Sequence, residues 1–171
     1  MLTGPTGVGK SDLLANVRRV VYEAFGCDIE VICADAFQAY RGLDIGTGKP
    51  DAAFRRRYNF HLVDILDPEQ QYSAGKFLEY ADAACAAIVQ RGKLPVIEGG
   101  SVYYVYTFLA GMPEAPCASE SVRRQVQAEL DRYGIGWLRS ELARVDPAAV
   151  ERIPSQDTYR LQRALEIYRQ T

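Results

Sequence analysis

Gly4-Pro5-Thr6-Gly7-Val8-Gly9-Lys10-Ser11 fits the pattern G-x-x-x-x-G-K-[ST], a phosphate-binding P-loop. The spacing follows from the chemistry. Glycines let the backbone curl so that successive N–H groups point at phosphate oxygens. Lys10 reaches the terminal phosphates as a mobile point charge, and the Ser11 hydroxyl is placed to ligate Mg²⁺. A helix that begins here aims its positive end at the same anion. Leu13, Leu14, Val17, Val20 and Val21 recur at helical spacing directly afterwards, so the loop stands where a phosphate loop must stand. The motif specifies a di- or triphosphate and leaves the reaction open.

The rest of the composition sets bounds. A chain of 171 residues holds one domain with at most a small appendage. A net charge of −2 gives no global basic field for nucleic acid, although a local patch in the last helix can supply one. No apolar run approaches the length of a membrane span, so no membrane is expected. Cys27, Cys33, Cys85 and Cys117 are scattered and His61 is the single histidine, which argues against a zinc cluster. Such thiols beside a P-loop suit a reducing, cytoplasmic setting.

The pattern predicts helices over about Lys10 to Phe25, Ala74 to Gln90 and Val102 to Ala110. It predicts strands at Ile29–Cys33, Phe60–Leu66 and Leu94–Ile97. Only Met1, Leu2 and Thr3 precede the P-loop, where a central strand normally has four or more apolar residues. Strand two delivers Asp35 at its C-terminal end, the edge where open α/β sheets place ligands. A long loop from Ala34 to Pro50 follows, rich in aromatic and charged residues. Gly99-Gly100-Ser101 is either a second anion contact or a plain tight turn. After Gly111 the β/α alternation stops. Pro113 and Pro116 break the chain, and helical patterns run over about Glu120 to Tyr133, Trp137 to Val145, Ala148 to Ile153 and Gln156 to Gln170. The expectation is an α/β P-loop NTPase-like parallel sheet flanked by helices (1–111), an all-helical insertion (112–154) and a helix returning to the core (155–171).

Several stretches together resemble the tRNA isopentenyltransferase (tRNA dimethylallyltransferase) family. They are the P-loop, the block from Ala34 to Pro50, His61-Leu62-Val63-Asp64-Ile65-Leu66-Asp67-Pro68, Tyr72-Ser73-Ala74, and Gly99-Gly100-Ser101 with its tyrosines. Asp146-Pro147 and the segment from Asp157 to Glu166 complete the set. Tyr40 to Pro50 is the most specific segment, since generic P-loop kinases have nothing like it. The resemblance implies transfer of a dimethylallyl group from dimethylallyl diphosphate to the exocyclic amine of the adenosine beside a tRNA anticodon. Gly4 to Ser11 would hold the donor diphosphate, with Thr6 and Lys10 active in catalysis and Mg²⁺ on Ser11. Asp35 would be the general base, the other reading being an outer ligand of the metal. By the same resemblance Asp35, Ala36, Phe37 and Gln38 would grip the target adenine. Ser101, Arg123, Tyr159, Arg160, Leu161, Gln162 and Arg163 would contact tRNA. A flipped base and unstacked-loop recognition would follow. A monomer is expected.

The departures are specific. Ala36 stands where the family usually has Ser. Ser101-Val102 replaces Thr-Gly, and Gly48 replaces Ala. Family members continue for roughly another hundred residues, a small domain's worth. The chain therefore reads as one shortened at its C-terminal side, and the short run before the P-loop is either a truncated start or a stub strand. Three competing functions stay open from sequence. They are a prenyltransferase of free adenine nucleotide, an ATP-dependent small-molecule kinase, and a non-catalytic remnant that binds diphosphate or RNA.

Overall fold

The computed structural model describes residues 1–5, 7–112, 116 and 118–171. Thr6, Pro113 and Cys117, singled out above, lie outside the described residues. The chain divides into two compact units, Met1–Met112 and Pro113–Thr171.

The first unit is a parallel four-stranded sheet with helices. Strands β1 (Leu2–Thr3), β2 (Ile29–Cys33), β3 (Phe60–His61) and β4 (Leu94–Gly99) lie in the order β1-β4-β2-β3. Helices α1 (Lys10–Phe25), α2 (Ala52–Tyr58), α3 (Ala74–Gln90) and α4 (Val102–Ala110) connect and cover them. Every residue of β2 is buried, as expected of an interior parallel strand covered on both faces. One face packs Ile32, Ile97, Phe77, Ala81, Ile88 and Tyr104. The other packs Leu14, Val21, Val31, Tyr58 and Val96. Helix α1 ends at Gly26 in the left-handed region, φ 67°, and α3 starts on the Ser73 hydroxyl, which accepts from Lys76 N.

Three expectations for this unit need correction. β1 is a two-residue stub, as the short run before the P-loop implies, but it lies at the edge of the described sheet rather than at its centre, paired to β4 at Leu2↔Glu98 and Thr3↔Gly99. The run from Phe60 to Leu66 is a strand only over Phe60–His61. Leu62 and Asp64 take positive φ (64° and 55°), because the segment turns away to meet the long loop instead of β2. Asp64 N donates to Gln38 O, and Ile65 N and Leu66 N donate to Ala39 O. Helix α2 was not anticipated. Its start is fixed by Asp51, whose carboxylate accepts from Phe54 N.

At the start of β2, Glu30 is 2% exposed and accepts from Arg91 Nη2 (2.6 Å), His61 Nε2 (2.6 Å) and Lys93 Nζ (3.0 Å). Burial opposes its ionisation. The bonds from Arg91, His61 and Lys93 outweigh that penalty and hold its pKa at about 2.

The second unit is all helical: α5 (Glu120–Val145), α6 (Pro147–Arg152) and α7 (Thr158–Gln170). Gly134 interrupts α5 at φ 78°, ψ 175°, a conformation that a side chain strongly disfavours. The helical segments predicted on either side of it are thus both present. Val126, Leu138, Leu142, Ala149, Val150, Leu161 and Leu165 form one core. Helix α7 contributes Leu161 and Leu165 to it, so the helix expected to return to the α/β core belongs to the helical unit.

Candidate active site

Gly7, Gly9, Lys10, Ser11, Asp12, Asp35, Gln38, Gly48, Pro50, Glu98, Gly99 and Gly100 line one cleft of about 230 Å³. That lies near the lower end of small-ligand sites, about 300–1,000 Å³. Gly7 and Gly9 take φ of 81° and 85°, so the loop curls as the motif requires. Among the described residues no side chain caps α1, and its first turn lines the cleft. Lys10 Nζ donates to Gly4 O and Pro5 O, both at 2.9 Å. Val8 is exposed at the loop's crown.

The acidic wall is built by the sheet. Glu98 sits near the end of β4, opposite Cys33 of β2 and Leu2 of β1. It is buried, and Ser11 Oγ donates to its Oε1 at 3.3 Å. Burial raises its pKa, Lys10 and Ser11 oppose that, and Asp35 adds to it. Sequence reading missed Glu98. The available signal was an acid directly before Gly99-Gly100 at the C-terminal end of a strand. Ser11 and Glu98 offer oxygen donors only, which suits a hard divalent cation that completes its shell with phosphate oxygens and water. Among the described residues no group of three or more His, Cys, Asp or Glu converges to form a metal cage.

Asp35 follows β2 and is half-buried. Its Oδ1 accepts from Phe37 N (2.9 Å) and Gln38 N (3.3 Å), which fixes the carboxylate's orientation. The Ser101 side chain supports this turn: Ala36 N donates to Ser101 Oγ at 3.0 Å, and Ser101 N donates to Ala34 O at 3.1 Å. Gly99 is required by the same junction, since a Cβ there would stand 2.1 Å from Ala34 O. Gly99 and Gly100 are thus both a tight turn and a wall of the cleft. Phe37 is exposed, and Gln38 lines the cleft. Cys33, just before, is fully buried, and burial pushes its thiol pKa far up, so it is packing rather than a nucleophile.

The residues matched to RNA contact in the second unit divide by exposure. Arg123, Tyr159 and Arg160 are exposed. Arg160 pairs loosely with Asp157 at 3.4 Å. Arg163 is half-buried, donating to Glu166 Oε2 and Pro116 O. Gln162 donates to Gln127 and Glu166. Leu161 is 0% exposed in the helical core, so its side chain is not available to RNA and only its backbone is left for such a contact.

The parallel sheet, the P-loop at the end of β1 and the acids at the ends of β2 and β4 define a P-loop NTPase-like protein. Within that class the chain belongs to the IPP transferase family, whose family model matches residues 38–171. It is 44% identical over 170 residues to a tRNA dimethylallyltransferase of Halorhodospira halophila, covering 99% of this chain and 53% of the relative. It is 41% identical to that of Methylococcus capsulatus, covering 98% and 52%. The solved structure of a eukaryotic dimethylallyltransferase acting on tRNA aligns with TM-score 0.77 and 28% identity, over 97% of this chain and 40% of that one. The tRNA isopentenylpyrophosphate transferase of Bacillus halodurans aligns with TM-score 0.57 and 34% identity, over 99% and 54%. The chain thus spans about half the length of the curated relatives it matches.

Proposed function

We propose that this chain transfers a dimethylallyl group from dimethylallyl diphosphate to the exocyclic amine of the adenosine beside a tRNA anticodon, acting as a cytoplasmic monomer. The observation that carries the reading is the single cleft shared by the phosphate loop and the oriented Asp35 carboxylate. Backbone N–H groups of the loop and Lys10 bind the donor diphosphate and stabilise the charge that grows on it. A divalent cation held by Ser11 and Glu98, with magnesium the ion that suits them, would supply Lewis-acid stabilisation of the leaving group. The amine nitrogen forms a bond to the allylic carbon as the carbon–oxygen bond to diphosphate breaks. Diphosphate leaves with the electron pair, and Asp35 takes the amine proton. An adenine amine is a poor nucleophile because its lone pair is delocalised into the ring, so a positioned base lowers this barrier. Thr6 would add a polar contact to the diphosphate. Ala36, Phe37, Gln38 and Ser101 would receive the extruded base, and Arg123, Tyr159, Arg160, Gln162 and Arg163 would hold RNA backbone and unstacked bases. The α/β unit would carry the chemistry and the helical unit the RNA contacts.

The test is incubation with Mg²⁺, dimethylallyl diphosphate and an anticodon stem-loop, followed by mass spectrometry of the RNA. A prenylated product that disappears with Asp35→Ala supports the reading. A folded chain that binds both substrates and leaves the RNA unmodified overturns it.

A further inference from the structure

The long loop from Tyr40 to Pro50 holds a buried cation that the transfer chemistry does not use. The Lys49 side chain is 2% exposed. Its Nζ donates to Tyr40 O (2.8 Å), Asp44 Oδ1 (2.7 Å) and Asp64 Oδ1 (2.7 Å). An ammonium has three N–H donors, and three acceptors use them all, two within the loop itself and one in the segment after β3. Asp64 is held in turn by Arg55. Burial opposes the charge on Lys49, and the two aspartates outweigh it, so the pKa is raised and the group stays charged. Burying an ammonium this far is costly unless every donor is satisfied, which makes the arrangement a rigid knot.

The knot sits directly behind the cleft wall. Gly48 and Pro50, on either side of Lys49, line the cleft, as does Gln38. Gln38 is fixed by the same loop: its Nε2 donates to Thr47 O at 3.1 Å, and its Oε1 accepts from the Cys33 thiol at 3.2 Å. The amide cannot be turned over without setting Oε1 against the Thr47 carbonyl oxygen. Thr47 is itself pinned, its hydroxyl donating to Leu43 O at 2.7 Å. Gln38 then has one amide hydrogen and one lone pair left over. A glutamine presented this way matches the donor and acceptor pair of adenine N6 and N7.

We propose that Lys49 is a positioning residue for base specificity: through Thr47 it holds Gln38 with one N–H and one lone pair toward the cleft, so that this wall admits adenine and rejects a 6-oxopurine. Lys49 itself is not among the residues that line the cleft. The inference rests on the proposed tRNA reading for its acceptor and extends it to how that acceptor is chosen. A 6-oxopurine places an acceptor where adenine has the N6 donor, leaving the wall's polar groups unpaired, and such mismatches cost far more than lost packing.

The experiment compares binding of two anticodon stem-loops, one with adenosine and one with inosine at the target position, and measures inorganic diphosphate binding separately. The intact chain should prefer the adenosine loop by about tenfold or more. Lys49→Met should bring the ratio to within about twofold while diphosphate affinity changes by less than about twofold, a split that general unfolding would not produce. Asp44→Ala removes one acceptor of the knot at an exposed carboxylate and should lower the ratio by about threefold, which decides the matter if Lys49→Met does not fold. An intact chain without preference, or variants that keep the full ratio, overturns the inference. A preference that depends on Lys49 in a chain that never prenylates the RNA supports the knot and overturns the transfer reading instead.

Discussion

Gly99→Ala should destabilise the α/β unit severely, and the structure gives the scale. The new Cβ would lie 2.1 Å from Ala34 O, 2.4 Å from Ala34 C and 2.9 Å from Ala34 Cα. All three atoms are backbone, so no rotamer change relieves the clash. Restoring ordinary van der Waals separation means parting the ends of β2 and β4 by more than about 1 Å. Two hydrogen bonds span that gap, Ala34 N to Glu98 O at 2.7 Å and Ser101 N to Ala34 O at 3.1 Å. Each costs about 1–3 kcal/mol when left buried and unmade, and the overpacking adds about 1–3 kcal/mol. A total of about 3–9 kcal/mol is a large part of a domain's stability, and corresponds to a fall in Tm of at least about 10 °C. The assay has an internal control. The single tryptophan, Trp137, lies in the helical unit, while Tyr58, Tyr72 and Tyr104 pack in the α/β unit. Tyrosine near-ultraviolet dichroism should melt early in the variant while tryptophan fluorescence melts as before. A tyrosine transition within about 1 kcal/mol of the parent would refute the argument, because it would mean the two strand ends part at no cost.

Other outcomes follow from the same structure. Lys10→Met should weaken diphosphate binding by about 10- to 100-fold in calorimetry, the worth of a charge-assisted contact. Glu98→Gln should raise the Mg²⁺ concentration needed for half-maximal transfer, and chelation should abolish transfer by the parent chain. Acid should loosen the sheet through Glu30: its folded pKa of about 2 lies below the ordinary 4.5, so the stability it contributes is full above about pH 4.5. That contribution is lost as pH falls toward 2, and Glu30→Gln should flatten this part of an acid titration followed by dichroism. Gly134→Ala, at φ 78°, should destabilise the helical unit by about 1–2 kcal/mol, whereas Gly136→Ala, in open space on a helix, should stabilise it by about 0.5–1 kcal/mol in denaturant melts of Trp137 fluorescence.

Elements written by local chemistry are legible in the sequence. Helix α1 runs from its glycine loop to Gly26, and α3 from Ser73 to the turn before Gly92, because caps and apolar spacing are both local signals. Asp35 and the P-loop were placed at one sheet edge by topology alone, and they share a cleft. What escaped is what long-range contacts decide. Phe60 to Leu66 has the composition of a strand, yet Asp64 is drawn away by Lys49 and Arg55, and its backbone pairs with the loop at Gln38 and Ala39. Glu98 gains its place from a pairing that no local signal shows, since β4 lies beside β1 and Ser11 reaches its carboxylate. Leu161 sits in a segment matched to RNA contact, but its apolar side chain answers to the core formed with Val126 and Leu142.

The break at Gly134 also changes how the helical unit keeps its sequence in phase. Val126 and Leu142 are both fully buried in the same core. In an unbroken helix at about 100° per residue, the interval between them would bring them about 160° apart, on opposite faces. The glycine resets the rotation, so each half of α5 carries its own apolar stripe with its own origin. An added residue within either half would turn every later side chain of that half off the core. The same residue added at Gly134 can be taken up by the break, which makes this junction the place where the helical unit tolerates changes of length.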